Sequence, residues 1–190
     1  MCGIDLIADR NMNALETAPA LNMAGRSSPT SRQLVVFRLA GQAYGIPLSA
    51  VKEIVSMPLL SRPPGLPSVL AGFFNLAGLA VAVLRLDQLF SAPNQAIRLY
   101  TPILVLQNVG LPLAVMVEDA CILGIAESCI LPVPENCSFN ECAVGVGMVE
   151  DSHIIILSPD RLLLRTEQQR LADLAALQQA RLAELEGGAL

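Results

Sequence analysis

The sequence predicts a mainly β protein, with two small antiparallel β-barrels followed by a long C-terminal helix. Short apolar and β-branched segments recur between residues 34 and 157, separated by turns rich in glycine, proline and asparagine. The two halves of this region are loosely alike, since each gives strands, a proline-rich loop and a hairpin. After residue 158 the leucines recur at a helical period instead.

The composition limits the classes of protein to which the chain can belong. Its 190 residues suffice for one domain or two small fused ones. Hydrophobic residues make up 53% and charged residues 15%, so apolar surface is either buried or covered by partners. The net charge of −5 and the single lysine, Lys52, argue against a nucleic-acid binder. Five cysteines without a paired framework, behind a start that lacks an apolar leader, predict a cytoplasmic protein with reduced thiols.

The central apolar stretch, residues 69–90, carries the strongest local signal. A polar turn, Asn75-Leu76-Ala77-Gly78, interrupts it, and Gly72 and Gly78 mark places where the chain bends. Two strands joined through this turn are therefore predicted. A transmembrane helix of about 20 residues is the alternative. The prolines at the start of the stretch and the absence of flanking Lys/Arg clusters argue against it.

The other elements follow in order along the chain. Residues 1–31 are predicted to be a flexible lead-in, and 32–165 the folded domain. Residues 108–110 are the turn of a second hairpin, and 120–126 are expected to continue that meander. The strand at 144–149 carries Gly145 and Gly147, which predict close approach by another backbone. The predicted strands cover residues 34–39, 44–48, 51–57, 103–107, 111–117, 120–126, 144–149 and 153–157.

The tail is predicted to form an amphipathic helix over residues 159–186. Ser158 is a candidate cap, Pro159 suits the first turn, and Gly187-Gly188 ends the helix. Its distal part, 174–185, is expected either to pair with another chain or to fold back onto a groove. Six leucines share one helical arc: Leu164, Leu171, Leu174, Leu177, Leu182 and Leu185.

No set of residues in the sequence predicts catalysis, a cofactor or a metal site. The single histidine, His153, precedes an apolar run and has no evident acid–base partner. Cys121, Cys129, Cys137 and Cys142 lack the close pairs of a zinc site. Residues 145–150 are glycine-rich, but neither a lysine nor a helix follows, as a phosphate loop requires. The chain is therefore not expected to be an enzyme.

Several ordered segments together resemble the CheW-like family of chemotaxis adaptors. Residues 34–54 are similar to the opening of the family, ending in Val-x-Glu-Ile, and residues 61–76 to the approach to its signature. GFFNLAGLAVAVLRL, 72–86, resembles the signature itself, except that Ala77 stands where the family usually has Arg and Arg85 where it usually has Asp. Residues 113–120 and 153–163 resemble the later strands and the start of the final helix.

The resemblance implies two five-stranded, SH3-like antiparallel β-barrels and a non-catalytic adaptor. Such adaptors couple the cytoplasmic tips of chemoreceptors to the regulatory domain of the histidine autokinase CheA, with no cofactor, nucleic acid or membrane insertion. The alternative is a structural or decoy module that binds a kinase or another adaptor but not receptors. Self-association through the C-terminal helix is a further possibility. The positions that the resemblance assigns to partner binding are Val51, Glu53, Asn75, Leu76, Ala77, Gly78 and Leu123.

The resemblance also implies a consequence of Ala77. In the family, an arginine at this position could pair with the glutamate of Val-x-Glu-Ile, which is Glu53 here. Without it, Arg85 or Arg62 must substitute, or Glu53 is left to water. Because charges at an interface set partner choice, an atypical receptor surface is predicted.

Overall fold

The computed structural model describes residues 31–94, 97–107, 110–134, 139–149 and 152–187. The lead-in predicted over 1–31 lies almost wholly outside these residues, as do parts of the predicted turn at 108–110 and of residues 131–142, a stretch that the sequence predicts to be a loop. The helices are α1 (Leu86–Leu89) and α2 (Arg165–Gly187). The strands are β1 (Ser31–Leu39), β2 (Gln42–Pro47), β3 (Val51–Ser56), β4 (Leu70–Leu76), β5 (Leu79–Arg85), β6 (Pro102–Leu106), β7 (Leu113–Met116), β8 (Glu118–Ala126), β9 (Ile130–Leu131), β10 (Ala143–Val149) and β11 (Ser152–Leu157).

The described strands form two sheets, so the predicted mainly β fold with a C-terminal helix is confirmed. The first sheet has the order β8-β1-β2-β11-β10-β9 and the second β3-β6-β7-β5-β4. The first sheet has six strands rather than five, because the two-residue β9 pairs with β10. Each sheet also contains one parallel pair, β2 with β11 and β5 with β7, where antiparallel pairing was predicted.

The two sheets do not correspond to the two halves of the chain. The second sheet uses only β3 to β7, whereas the first takes β1 and β2 from before it and β8 to β11 from after it. The expectation that 120–126 continues the meander is wrong, because β8 leaves β7 and pairs with β1. The chain turns at Asp119, whose φ is +43°, and Leu123 then lies opposite Leu34 in the first sheet.

The predicted central hairpin is confirmed as β4 and β5. Leu76 pairs with Leu79, and the two residues between them, Ala77 and Gly78, have φ of +51° and +86°. Positive φ at both central positions is the type I′ geometry, whose twist matches that of the strands. Within β4, a glycine is required at position 72 for steric reasons, because a Cβ on Gly72 would lie 2.7 Å from the Ser61 carbonyl oxygen.

A large apolar cluster joins the two sheets and α2. It includes Phe37 and Ile46 of the first sheet, Phe73 and Leu84 of the second, and Leu171 of the helix. A separate cluster around Phe74 and Val83 belongs to the second sheet, and another around Leu34 and Ile125 to the first. The predicted close approach of another backbone is found at Gly145, where a Cβ would lie 3.3 Å from the Leu131 carbonyl oxygen. At Gly147 the close neighbour is a side chain instead, since a Cβ there would lie 2.9 Å from Ile125 Cδ1.

The C-terminal helix begins later than predicted and buries only part of the predicted leucine arc. Pro159–Arg161 form a 3₁₀ turn without a cap bond from Ser158, and α2 starts at Arg165, where the Glu167 carboxylate accepts a hydrogen bond from the Leu164 N–H at 2.8 Å.

Two members of the predicted leucine arc, Leu164 and Leu177, are more than half exposed. Leu171 of the arc is buried, together with Ala175 and Gln178, which lie outside the arc. The helix folds back onto β4 and β5. Among the described residues, no helix is both long and apolar enough to cross a bilayer.

Candidate functional site

The β4–β5 turn brings four of the predicted partner-binding residues together. The Asn75 Oδ1 accepts a hydrogen bond from the Gly78 N–H at 2.7 Å, which holds the turn closed. Leu76 packs against the apolar cluster of the second sheet, while Asn75 and Ala77 are exposed. Asn75 and Gly78 therefore have a structural role, and Ala77 presents its side chain at the tip.

A residue that the sequence analysis missed, Gln179 of α2, binds this hairpin through both ends of its amide. Its Oε1 accepts a hydrogen bond from the Ala80 N–H at 2.8 Å, and its Nε2 donates one to the Gly78 carbonyl oxygen at 2.8 Å. β7 runs parallel to β5 and pairs with it only from Ala82 onward, so the amide binds backbone groups of the hairpin that β7 does not reach. A glutamine about 100 positions away, inside a polar helical stretch, gives no signal of this contact in the sequence.

A groove of about 400 Å³ lies beside the turn. Its walls are the loop that follows β3 and the distal part of α2, and its floor is the β4–β5 hairpin. Leu59 stands at its edge with 95% of its surface exposed. The lining residues are Leu59, Leu60, Ser61, Phe73, Phe74, Asn75, Ala80, Gln178, Arg181 and Leu182.

A second groove, of about 430 Å³, lies between α1 and the strands β2, β10 and β11. Tyr44 and Cys142 line it together with apolar side chains. Burial raises the pKa of the Tyr44 hydroxyl, and the neighbouring Cys142 raises it further. Burial also raises the pKa of the Cys142 thiol, although backbone hydrogen bonds oppose this. A raised thiol pKa is the reverse of what an activated cysteine needs, so this groove is an apolar surface.

The remaining cysteines and acids do not assemble a reactive site in the described part of the chain. Cys121 and Cys129 are exposed free thiols. The described residues contain no group of three or more His, Cys, Asp or Glu side chains that could hold a metal ion. The described residues thus present an exposed turn with one largely apolar groove beside it and a second largely apolar groove beside α1.

Comparison with known proteins gives the family. The family model of the CheW-like domain matches residues 33–167. The chain belongs to the CheW-like domain family. The chemotaxis protein CheW of Bacillus subtilis (strain 168) is 27% identical over 91 residues, which are 48% of this chain and 58% of that protein. This match therefore spans little more than half of the length of that relative.

The solved structures show the same fold. The crystal structure of the scaffolding protein TtCheW from Thermoanaerobacter tengcongensis superposes with a TM-score of 0.64 at 24% identity. The match covers 70% of this chain and 92% of that one.

The other positions carried over from the CheW-like family belong to other strands. Val51 and Glu53 belong to β3, which lies at the opposite end of the second sheet from β4 in hydrogen-bonding order. Val51 is buried and Glu53 is partly exposed. Leu123 is in β8 of the first sheet, packed against the apolar cluster there. Four of the seven residues thus belong to the β4–β5 turn and three to other strands.

The departure from the CheW-like pattern at Arg85 has a structural explanation. The Arg85 Nη2 lies 2.5 Å from Asp87 Oδ2, and its Nε donates to Asp87 Oδ1 at 3.2 Å. Asp87 is fully buried, so this bidentate pair satisfies a carboxylate that would otherwise be costly. Arg85 is therefore not the cation of Glu53, whose ion pair in the structure is a 4.0 Å contact with Lys52.

Proposed function

We propose that this CheW-like chain is a chemosensory scaffold that couples chemoreceptors to the autokinase CheA in the cytoplasm. The observation that carries the proposal is the family match over residues 33–167, which includes the turn and most of both sheets. The names of the two relatives, a chemotaxis protein and a scaffolding protein, support the same class of function.

We place the receptor-binding face at the β4–β5 turn and the groove beside it. Ala77 is exposed at the tip, and Leu59 presents an apolar side chain almost wholly to solvent. An apolar groove next to a rigid turn is a common way to receive a helix of a partner. The turn is rigid because Asn75 and Gln179 satisfy its backbone from two sides.

Reconstitution tests the proposal. The purified chain is mixed with CheA and with a receptor cytoplasmic fragment from the same organism, and complexes are separated by size exclusion. We expect a complex that contains all three proteins and a receptor-dependent change in CheA autophosphorylation. The absence of binding to every CheA of that organism would refute the scaffold function.

A second candidate is a decoy module that binds the kinase but not receptors. Ala77 favours it, because the chain lacks the cation that the family usually presents at this turn. A CheA complex that excludes every receptor fragment would select the decoy. For the receptor scaffold, we expect Ala77→Arg to strengthen binding to receptors matched to ordinary CheW proteins while the melting temperature hardly changes, since an exposed charge adds only about 0–1 kcal/mol.

Self-association through α2 is also proposed, on narrower grounds. The face of α2 with Leu171 and Ala175 already packs on the domain, which leaves Leu164 and Leu177 exposed for another chain. Light scattering coupled to size exclusion tests this contact. A mass that does not depend on Leu177→Ser would contradict it.

A further inference from the structure

The groove beside α2 contains a buried amide that the fold does not use. Gln178 is 7% exposed and lines the groove. Among the described residues, its side-chain amide has no hydrogen-bond partner. Leaving a buried amide without a partner costs free energy, so a group that supplies an acceptor here would bind favourably.

A cation without a carboxylate partner lies next to that amide. Arg181 is three positions further along α2, which places it on the same side of the helix, and it lines the same groove. In the part of the chain that the structure describes, no carboxylate oxygen lies within 4 Å of its guanidinium. The chain carries a net charge of −5, so an available arginine in this groove is a local exception to the overall charge.

Gln179 holds both groups in place. Its two hydrogen bonds to the β4–β5 hairpin fix the rotation of α2 about its own axis. Gln178 is the preceding residue, so fixing the rotation of the helix also fixes which side of the helix carries Gln178. Leu59, Phe74 and Leu182 supply apolar lining to the same groove.

We propose that this groove receives an acidic side chain from the receptor helix that docks on the scaffold. The carboxylate accepts hydrogen bonds from Gln178 Nε2 and from the Arg181 guanidinium, and a neighbouring apolar side chain of the same helix packs on Leu59 and Leu182. Charge complementarity selects this occupant, because Arg181 is the charged side chain among the described residues that line the groove, the Gln178 Nε2 adds a donor beside it, and that lining contains no carboxylate. The inference rests on the proposed receptor coupling and makes α2 part of the receptor-binding face.

Two substitutions test the site by affinity for the receptor cytoplasmic fragment, measured by calorimetry. Gln178→Leu removes the donor but keeps the volume, so we expect weaker binding by about tenfold or more with unchanged or higher stability. Arg181→Glu should weaken binding more, and its loss should shrink at high salt. Arg170→Glu, the same charge change at an exposed site on α2 outside this groove, is the matched control and should bind as the unmodified chain does.

A charge swap identifies the partner residue. Each acidic residue of the receptor tip is changed to arginine in turn, and we expect one of these fragments to restore binding to Arg181→Glu. Unchanged affinity of both groove variants, while the unmodified chain binds the fragment, would overturn the inference and leave the scaffold function intact. If the unmodified chain binds no receptor fragment, both fail. If the variants lose CheA binding or change only the self-association of the chain, the groove belongs to that partner and the receptor assignment is wrong.

Discussion

The contact between Gln179 and the β4–β5 turn can be tested by removing the amide with Gln179→Ala. The substitution deletes two hydrogen bonds of 2.8 Å and leaves the Ala80 N–H and the Gly78 carbonyl oxygen without their partner. Both bonds are partly buried, so water replaces them incompletely. A net contribution of about 0.5–1.5 kcal/mol for each bond predicts a loss of about 1–3 kcal/mol in the free energy of unfolding.

The matched control is Gln169→Ala on the same helix. Its Nε2 makes only an exposed hydrogen bond of 3.2 Å to Asp173, four positions on, which is worth about 0.2–0.5 kcal/mol. Both variants gain the same helix propensity, so the difference between them isolates the contact with the hairpin.

Urea denaturation followed by circular dichroism measures the two variants. We expect the urea concentration at the unfolding midpoint to fall clearly for Gln179→Ala and little for Gln169→Ala. The dependence of the unfolding free energy on urea concentration should be unchanged in both. In a thermal scan the first variant should melt about 2–10 °C lower. Equal and small shifts in the two variants would refute the reasoning, because α2 would then not be held to the turn by this amide.

Three further predictions concern backbone conformation and titration. Gly72→Ala should lower the free energy of unfolding by more than about 2 kcal/mol in urea denaturation, because the new Cβ would lie 2.7 Å from a carbonyl oxygen. Gly78→Ala has open space around it and should cost only about 1–2 kcal/mol for a left-handed backbone conformation. Equal losses in the two variants would contradict this. Ala77→Gly should raise stability by about 0.5–1 kcal/mol, since alanine has a φ of +51° there, and a loss would show that this turn carries no strain. The raised pKa values of Tyr44 and Cys142 mean that the folded state holds these protons more tightly than the unfolded state. Their contribution to stability is therefore fully present below the ordinary values of 10.0 and 9.0, and it is lost as pH rises above about 9. The double variant Tyr44→Phe with Cys142→Ala should show a smaller fall of the melting temperature with pH, and an unchanged fall would exclude these groups as its cause.

The local elements of the fold could be predicted because their signals are local. The central hairpin follows from its polar turn and from the apolar runs on both sides, and the structure confirms it as β4 and β5. Close neighbours of the glycines in the strand at 144–149 were also predicted, but the predicted neighbour was a backbone, and at Gly147 it is the Ile125 side chain. The ordered likeness to CheW-like proteins added the family, which no periodicity could supply.

The non-local contacts could not be predicted. The apolar pattern of residues 120–126 is compatible with a strand in either sheet, so it does not indicate that this strand pairs with β1. The leucine arc of the tail predicted the buried face only in part, because Leu171 is buried but Leu177 is exposed and Ala175 is buried. Gln179 was missed because its partners are backbone groups, which every residue carries and which therefore leave no pattern in the sequence.

The nesting of one sheet inside the other has a consequence for the order of folding. All strands of the second sheet lie between residues 51 and 116, so this sheet can form from one continuous segment. The parallel pairing of β2 with β11 instead joins Ala43 to Ile154, more than a hundred positions apart. Closing such a loop costs much entropy unless the intervening segment is already compact, because a folded insert brings the two ends together. The second sheet is therefore expected to form early, and the first sheet is expected to assemble afterwards, once the folded insert holds its two parts close together.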